Sequence, residues 1–268
     1  MSQFVETEIH GRIAVLVMNR SEQRNALSSE DDCAEFADAC DALNADMAIS
    51  AVILTGSGTA FSAGGNIKNM ADRTGLSAGD PAQLRNRYRR GVQRLARSLF
   101  NLEMPVIAAV NGPAMGAGLD IACMCDIRIA STQARFAESF VKLGLIPGDG
   151  GAWLLQRIVG VSAAAELTFT GRTIDATEAL RIGLVSSIVD PTELKARAMA
   201  LAGEIAANPP QALRDTKRLL REAQNVRFEA HLEDAARYQA AAHHSADHIE
   251  AVRAVLEKRQ PNFFKKNE

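Results

Sequence analysis

The chain has 268 residues, 47% of them hydrophobic and 23% charged, and its formal net charge is −2. That apolar content suffices for a large core and one or two domains, and the near-neutral balance argues against a protein built to bind nucleic acid. No stretch approaches the roughly 18–20 apolar residues of a membrane span, and MSQFVETEIHGR lacks the basic-then-apolar pattern of a secretory signal.

The first strand predicted runs from Ile13 to Met18. The segment SSEDDCAEFADACDALNAD follows as a helix: Ser28 or Ser29 caps it, acids fill its first turn, and Cys33, Phe36, Ala37, Cys40 and Leu43 share one face. A strand over Ala51 to Thr55 leads into a Gly/Ser-rich turn. A single helix is predicted from Pro81 to about Leu102, with Leu84, Tyr88, Leu95 and Leu99 on one side. Strands at Val106 to Val110, Ile127 to Ala130 and Val185 to Val189 complete the alternating part. From Leu194 onward the pattern is helical only, broken at Asn208-Pro209-Pro210 and ended by Pro261. The division expected is an α/β body, residues 1–205, and a helical domain, residues 206–268. So small a helical tail must pack on the body, on a partner subunit, or on both.

Cys33, Cys40, Cys123 and Cys125 form no C-x-x-C pair and have no histidine at metal spacing. They read as reduced, buried thiols of a cytoplasmic protein without a metal site.

Two strand ends share a design. AVILTGSGTAFSAGGNIK and PVIAAVNGPAMGAGLDIACMCD each pass from a strand into a turn of small residues, and the second turn opens an apolar helix. Glycine beside an N–H lets a ligand approach the main chain, and a helix N-terminus favours negative charge. Ala63, followed by Gly64 and Gly65, and Ala117, between Gly116 and Gly118, are therefore candidate donors of an oxyanion hole. Ordinary tight turns are the alternative. A dinucleotide site is disfavoured, because neither turn has the G-x-G-x-x-G spacing.

These two segments, with KLGLIPGDGGAWLLQRIVG and the ending AVLEKRQPNFF, resemble the enoyl-CoA hydratase/isomerase (crotonase) superfamily from about Ile13 to Phe264. The resemblance implies a spiral of β-β-α units with a C-terminal helical trimerisation domain, a homotrimer or hexamer, and a CoA thioester as substrate with no other cofactor. It implies oxyanion donors at Ala63 and Ala117. It places Arg24, Ala26 and Leu27 along the CoA, with Ala63, Gly65, Asn66 and Ile67 walling its adenine pocket and Gly116 and Phe140 beside the acyl group. Asn66 replaces a common aspartate, and Phe263 is expected to reach a CoA site.

Family hydratases typically use two glutamates, and the chain departs from that pattern twice. Asp120 stands at the first position; its place in the first turn of a helix is expected to lower its pKa. Phe140 stands at the second and cannot exchange a proton. Asp149, in the turn Gly148-Asp149-Gly150-Gly151, is the stronger candidate to compensate, and Glu138 the weaker; a plain helix cap is the alternative for Asp149. Trp153 is expected in the core. Arg85, Arg87, Arg89, Arg90, Arg94 and Arg97 read chiefly as a solvated face, and the segment after Met70 as a lid. The reaction expected is hydration of an enoyl-CoA or a shift of its double bond. Another enolate reaction, such as hydrolysis or decarboxylation, and a silent acyl-CoA- or RNA-binding role remain as alternatives.

Overall fold

The computed structural model describes residues 3–263. Its main sheet has six strands in the order β1-β2-β3-β4-β6-β9: β1 (Val5–His10), β2 (Ile13–Met18), β3 (Ala51–Gly56), β4 (Val106–Val110), β6 (Ile127–Ser131) and β9 (Ser187–Val189). Only the β1–β2 pair is antiparallel. The central strands are short runs of Val, Ile, Leu and Ala because both faces of the sheet are covered. Alternate residues serve opposite faces. Leu16, Val52, Leu54, Val106 and Ala108 pack on the side of α1 (Glu30–Ala45) and α4 (Val92–Phe100). Val15, Ile53, Ile107 and Ile129 face Leu194, Ala198 and Ala202 of α9 (Leu194–Ala206).

The spiral is visible in three successive units. In each, a strand of the main sheet leads to a short segment of a second layer and then to a helix. After β3, Ser62 bridges to Ala114, ahead of α2 (Ile67–Asp72). After β4 come β5 (Ala114–Met115) and α5 (Ala117–Met124); after β6 come β7 (Arg135–Ala137) and α6 (Gly151–Val159). β5 pairs in parallel with β7, and β7 antiparallel with β8 (Ile174–Asp175). The units therefore stack the segments at Ser62, Ala114 and Phe136 side by side, which brings the two small-residue turns together.

α1 begins where expected. The Ser29 side chain accepts from Asp32 N–H, and the Asp32 carboxylate accepts from Ser29 N–H. The helix predicted over Pro81 to Leu102 is instead two, α3 (Pro81–Arg90) and α4, interrupted at Gly91, whose ψ of −102° is not helical. All four cysteines are buried and free. α7 (Val161–Thr170) precedes β8 in the chain and α8 (Ala176–Arg181) follows it. Beyond α9, α10 (Pro210–Glu222) docks on the body, and α11 (Phe228–His243) and α12 (Ala246–Leu256) leave Phe228, Leu232, Val255 and Leu256 exposed. Among the described residues, no helix is long and apolar enough to cross a membrane.

Candidate active site

The turn after β3 and the turn before α5 are bound to each other through their main chains. Phe61 and Ser62 N–H both donate to Pro113 C=O at 3.1 Å, and Met115 N–H returns a bond to Ser62 C=O at 3.0 Å. Gly116 N–H donates to Ala137 C=O at 2.8 Å. The segment Arg24–Leu27 closes the arrangement from the other side: Leu27 N–H donates to Gly64 C=O, and Asn66 N–H to Leu27 C=O. Gly64 sits at φ +79°, and a Cβ there would collide with Met115 C=O and lie 3.1 Å from Ala117 N. Only glycine fits that contact.

Asn25 holds this region together; the sequence reading has it only within the Arg24–Leu27 stretch along the CoA and gives it no role of its own. It is fully buried at φ 55°, and its amide donates to Ser57, Ala60 and Phe61 carbonyls while accepting from Arg20 N–H. Its place beside Arg24 and its tolerance of left-handed backbone were the available signals.

Buried N–H groups rarely lack partners, so the unspent ones are informative. Ala63 N–H is spent, because it donates to Arg24 C=O at 2.8 Å. This removes Ala63 as an oxyanion donor. Gly64 N–H donates to Ser62 Oγ. On the two glycine turns, Gly65 and Ala117 bring to the cavity at this junction main-chain N–H groups that no group among the described residues accepts. The sequence reading places Gly65 only in the CoA wall. The cavity, of about 50 Å³, is also lined by Leu27, Asn66, Met70, Tyr88, Phe140 and Asp149. Leu76 and Ser77, from the segment expected to act as a lid, lie on it too.

The other expected CoA contacts occupy varied places. Ala26 and Leu27 are buried, Arg24 is exposed at φ 53°, and Ile67 is 61% exposed. Asn66 caps α2, accepting from Lys68 and Asn69 N–H and donating to Ser28 Oγ. Gly116 lies against the Phe140 ring, which stands 3.6 Å from where its Cβ would be. Phe263, the last described residue, is half-buried.

Three carboxylates meet beside these donors: Asp120 and Glu138 at 0% exposure and Asp149 at 6%. Both oxygens of Asp120, both of Glu138 and one of Asp149 are buried without a hydrogen-bond partner among the described residues. Burial raises the pKa of Asp120 well above the ordinary range, and the neighbouring charges of Asp149 and Glu138 raise it further. The expectation that the helix start would lower it is overturned, because desolvation and like charges outweigh the terminal dipole. Burial likewise raises Asp149, and it raises Glu138 to about 7, while the Asp120 side chain pulls both back. Burial, then Asp149, raises the Tyr88 phenol.

Trp153 is not core. It is 36% exposed, meets Phe100 edge-on at 5.7 Å and carries the Arg157 guanidinium over its ring. The arginine-rich helices are partly tied: Arg87 pairs with Glu30, and Arg94 with Asp38.

The sequence pattern of the enoyl-CoA hydratase/isomerase family matches residues 8–266. The chain belongs to this family. A short-chain-enoyl-CoA hydratase of Clostridium acetobutylicum is 38% identical over 259 residues, covering 96% of both chains. The 1,2-epoxyphenylacetyl-CoA isomerase of Escherichia coli is 35% identical, covering 98% of this chain and 99% of its own. The crystal structure of an enoyl-CoA hydratase from Bacillus anthracis superposes with a TM-score of 0.92 at 31% identity, over 98% of this chain and 100% of the other. As a member of the hydratase/isomerase family, the chain is an enzyme of acyl-CoA chemistry, and its crotonase-type fold agrees with the sequence reading.

Proposed function

We propose that Gly65 and Ala117 N–H bind the thioester oxygen of an enoyl-CoA, and that Asp149 shuttles a proton between its carbons. The carrying observation is that the cavity reached by the Gly65 and Ala117 N–H groups is lined, among the described residues, by a single carboxylate, Asp149, while Phe140 fills the position of a second acid. On a 3-enoyl-CoA, Asp149 takes a proton from C2, and the electrons pass to the thioester oxygen. The dienolate rests on the two N–H donors, each worth roughly 2.7–4 kcal/mol of barrier. The proton then returns at C4, leaving the double bond at C2. A raised carboxylate pKa makes Asp149 a stronger base than a surface aspartate. Asp120, buried beside Asp149, keeps its pKa raised through the transfer.

Arg24, Ala26, Leu27, Asn66, Ile67 and Gly116 border the route for the CoA portion in this reading, with Phe140 drying the acyl pocket. Proton transfer of this kind calls for no cofactor beyond the CoA of the substrate. Exposed apolar residues on α11 and α12 favour assembly into a trimer or a hexamer, and four free thiols favour a cytoplasmic location in fatty-acid breakdown.

Hydration is the second reading, favoured by the C. acetobutylicum relative, which is named a hydratase. Incubation with a 3-enoyl-CoA and with crotonyl-CoA, following the conjugated thioester absorbance, separates the two. The proposal expects the 3-enoyl-CoA to gain absorbance. Loss of absorbance from crotonyl-CoA alone would replace isomerisation by hydration, and turnover of neither, with CoA thioesters still bound, would refute both.

A further inference from the structure

We propose that the acyl chain beyond C4 runs past Asp149 into an apolar hollow between α4, α5 and α6, on the reading that places the thioester oxygen at Gly65 and Ala117. Phe100 and Trp153 form the end wall of this hollow and limit the length of chain it takes. The substrate class is then an acyl-CoA of medium length with an uncharged hydrocarbon tail.

Asp149 borders two cavities. One is the cavity of the two N–H groups, and the other, of about 310 Å³, has no other lining residue in common with it. Asp149 therefore stands between them. A thioester held by its oxygen in the first, with C2 and C4 within reach of Asp149, has its next carbons directed at the second. That hollow is lined by Ala96 and Phe100 of α4, Met124 of α5, and Trp153 and Leu154 of α6. Its polar members besides Asp149 are Arg97 and Asn101, and both are exposed. Apolar walls with few polar groups suit a hydrocarbon. A cavity of roughly 150 Å³ accepts a benzene ring, so the hollow has room for about eight chain carbons.

The end wall is held firmly. Phe100 and Trp153 meet edge-on, with the Arg221 guanidinium 3.9 Å over the first ring and that of Arg157 3.8 Å over the second. Arg221 is tied in turn to the Asp126 carboxylate and Met124 C=O, and Arg157 to Trp153 C=O. On their other side the same two rings line a cavity of about 700 Å³ between α6 and α10. The pair is thus a partition, and a chain that outgrows the hollow meets it. A further cavity, of about 520 Å³, joins the first at Tyr88 and Leu145 and carries Arg85 and Arg89. It suits a tail that ends in a carboxylate, but Asp149 does not line it, so the chain is assigned to the apolar hollow.

Saturated acyl-CoAs test the tail apart from the proton chemistry. Isothermal titration should show dodecanoyl-CoA binding at least about a hundredfold more tightly than butanoyl-CoA, since each buried CH₂ contributes about fourfold. Ala96→Phe fills the hollow from α4 and should shrink that ratio at least about tenfold. Trp153→Ala opens the partition and should raise the affinity for hexadecanoyl-CoA about tenfold or more relative to dodecanoyl-CoA. Equal binding of butanoyl- and dodecanoyl-CoA to the wild type would overturn the proposal while leaving the parent reading intact. An unchanged ratio in Ala96→Phe, or an unchanged chain preference in Trp153→Ala, would also overturn it. Dodecanedioyl-CoA binding more tightly than dodecanoyl-CoA would move the tail to Arg85 and Arg89. Indifference to tail length with an altered oligomeric state in Ala96→Phe would give the hollow to a second copy of the chain. Failure of every CoA thioester to bind would sink the parent reading and this one with it. If Ala96→Phe does not fold, the wild-type and Trp153→Ala titrations still decide.

Discussion

The protein buries charge in two places and treats it in opposite ways. Along α10 the buried Arg214 and Lys217 and the half-buried Arg221 each have a carboxylate. Arg214 pairs with Glu103 at 2.9 Å, Lys217 with Asp126 at 2.6 Å, and Arg221 with Asp126 at 2.9 Å. Lys217 also donates to Met104 C=O, and Asp126 accepts from Val106 N–H. This seam fastens the C-terminal helices to the end of β4. Beside α5, by contrast, Asp120, Glu138 and Asp149 are buried with no counter-ion among the described residues. Pairing costs little to keep and much to break. Like-charge burial is unfavourable in itself and tends to persist where chemistry needs a shifted pKa. Burial of charge is thus not the sign of a site; burial of charge without a partner is.

The sharpest way to break that contrast is to neutralise one member of each region. Asp149→Asn should lower kcat by roughly 10²–10⁴-fold, the usual worth of a positioned base, while isothermal titration shows acyl-CoA affinity unchanged. In the α10 seam, Asp126→Ala strands Lys217, whose pKa burial already holds down at about 8. Urea unfolding should show a loss on the order of 3–5 kcal/mol, with activity per folded molecule preserved. If Asp126→Ala abolished catalysis in folded protein, the division between structural and functional charge would fail.

A smaller effect probes the donors. Ala117 is the first residue of α5, where proline fits the helix and removes only an N–H that no other group uses. Ala117→Pro should reduce kcat by roughly 10²–10³-fold with little change in melting temperature. Ala63 gives the contrasting control, since removing its N–H breaks the bond to Arg24 C=O and should show mainly as lost stability.

The smallest effect is on stability. The folded pKa of Asp120 is raised, so its contribution is fully present below the ordinary carboxylate range, near pH 4, and is lost as pH rises through the raised value. Asp120→Asn removes that loss. Its melting temperature relative to wild type should therefore climb from pH 5 to pH 8, by an amount reflecting roughly 1.4 kcal/mol for each tenfold weakening of the acid on folding. A constant difference across that range would show that the Asp120 charge is not what burial disfavours.

Much of the main sheet was legible because β2, β3 and β4 are apolar runs and β6 is interrupted only by Arg128, with glycine, asparagine or aspartate at their ends. β5, β7 and β8 were not, being two or three residues long and below any periodicity. β1 shows one buried residue in six, so its pattern marks no core face. At the site, glycine turns identified the region and Ala117, but not which N–H on the first turn is free. That depends on Arg24 C=O, a partner some forty residues away, which takes Ala63 and leaves Gly65. The burial of Glu138 was illegible for a similar reason: it comes from elements packed over it, not from its neighbours in sequence.

The most direct test of the account reads the thioester carbonyl itself. Isotope-edited vibrational spectra of a bound acyl-CoA should show the carbonyl stretch moved to lower frequency than in solution. In Ala117→Pro most of that displacement should vanish while binding persists. A bound carbonyl indistinguishable from the free one, or an undiminished displacement in Ala117→Pro, would contradict the assignment of Gly65 and Ala117 as the polarising pair.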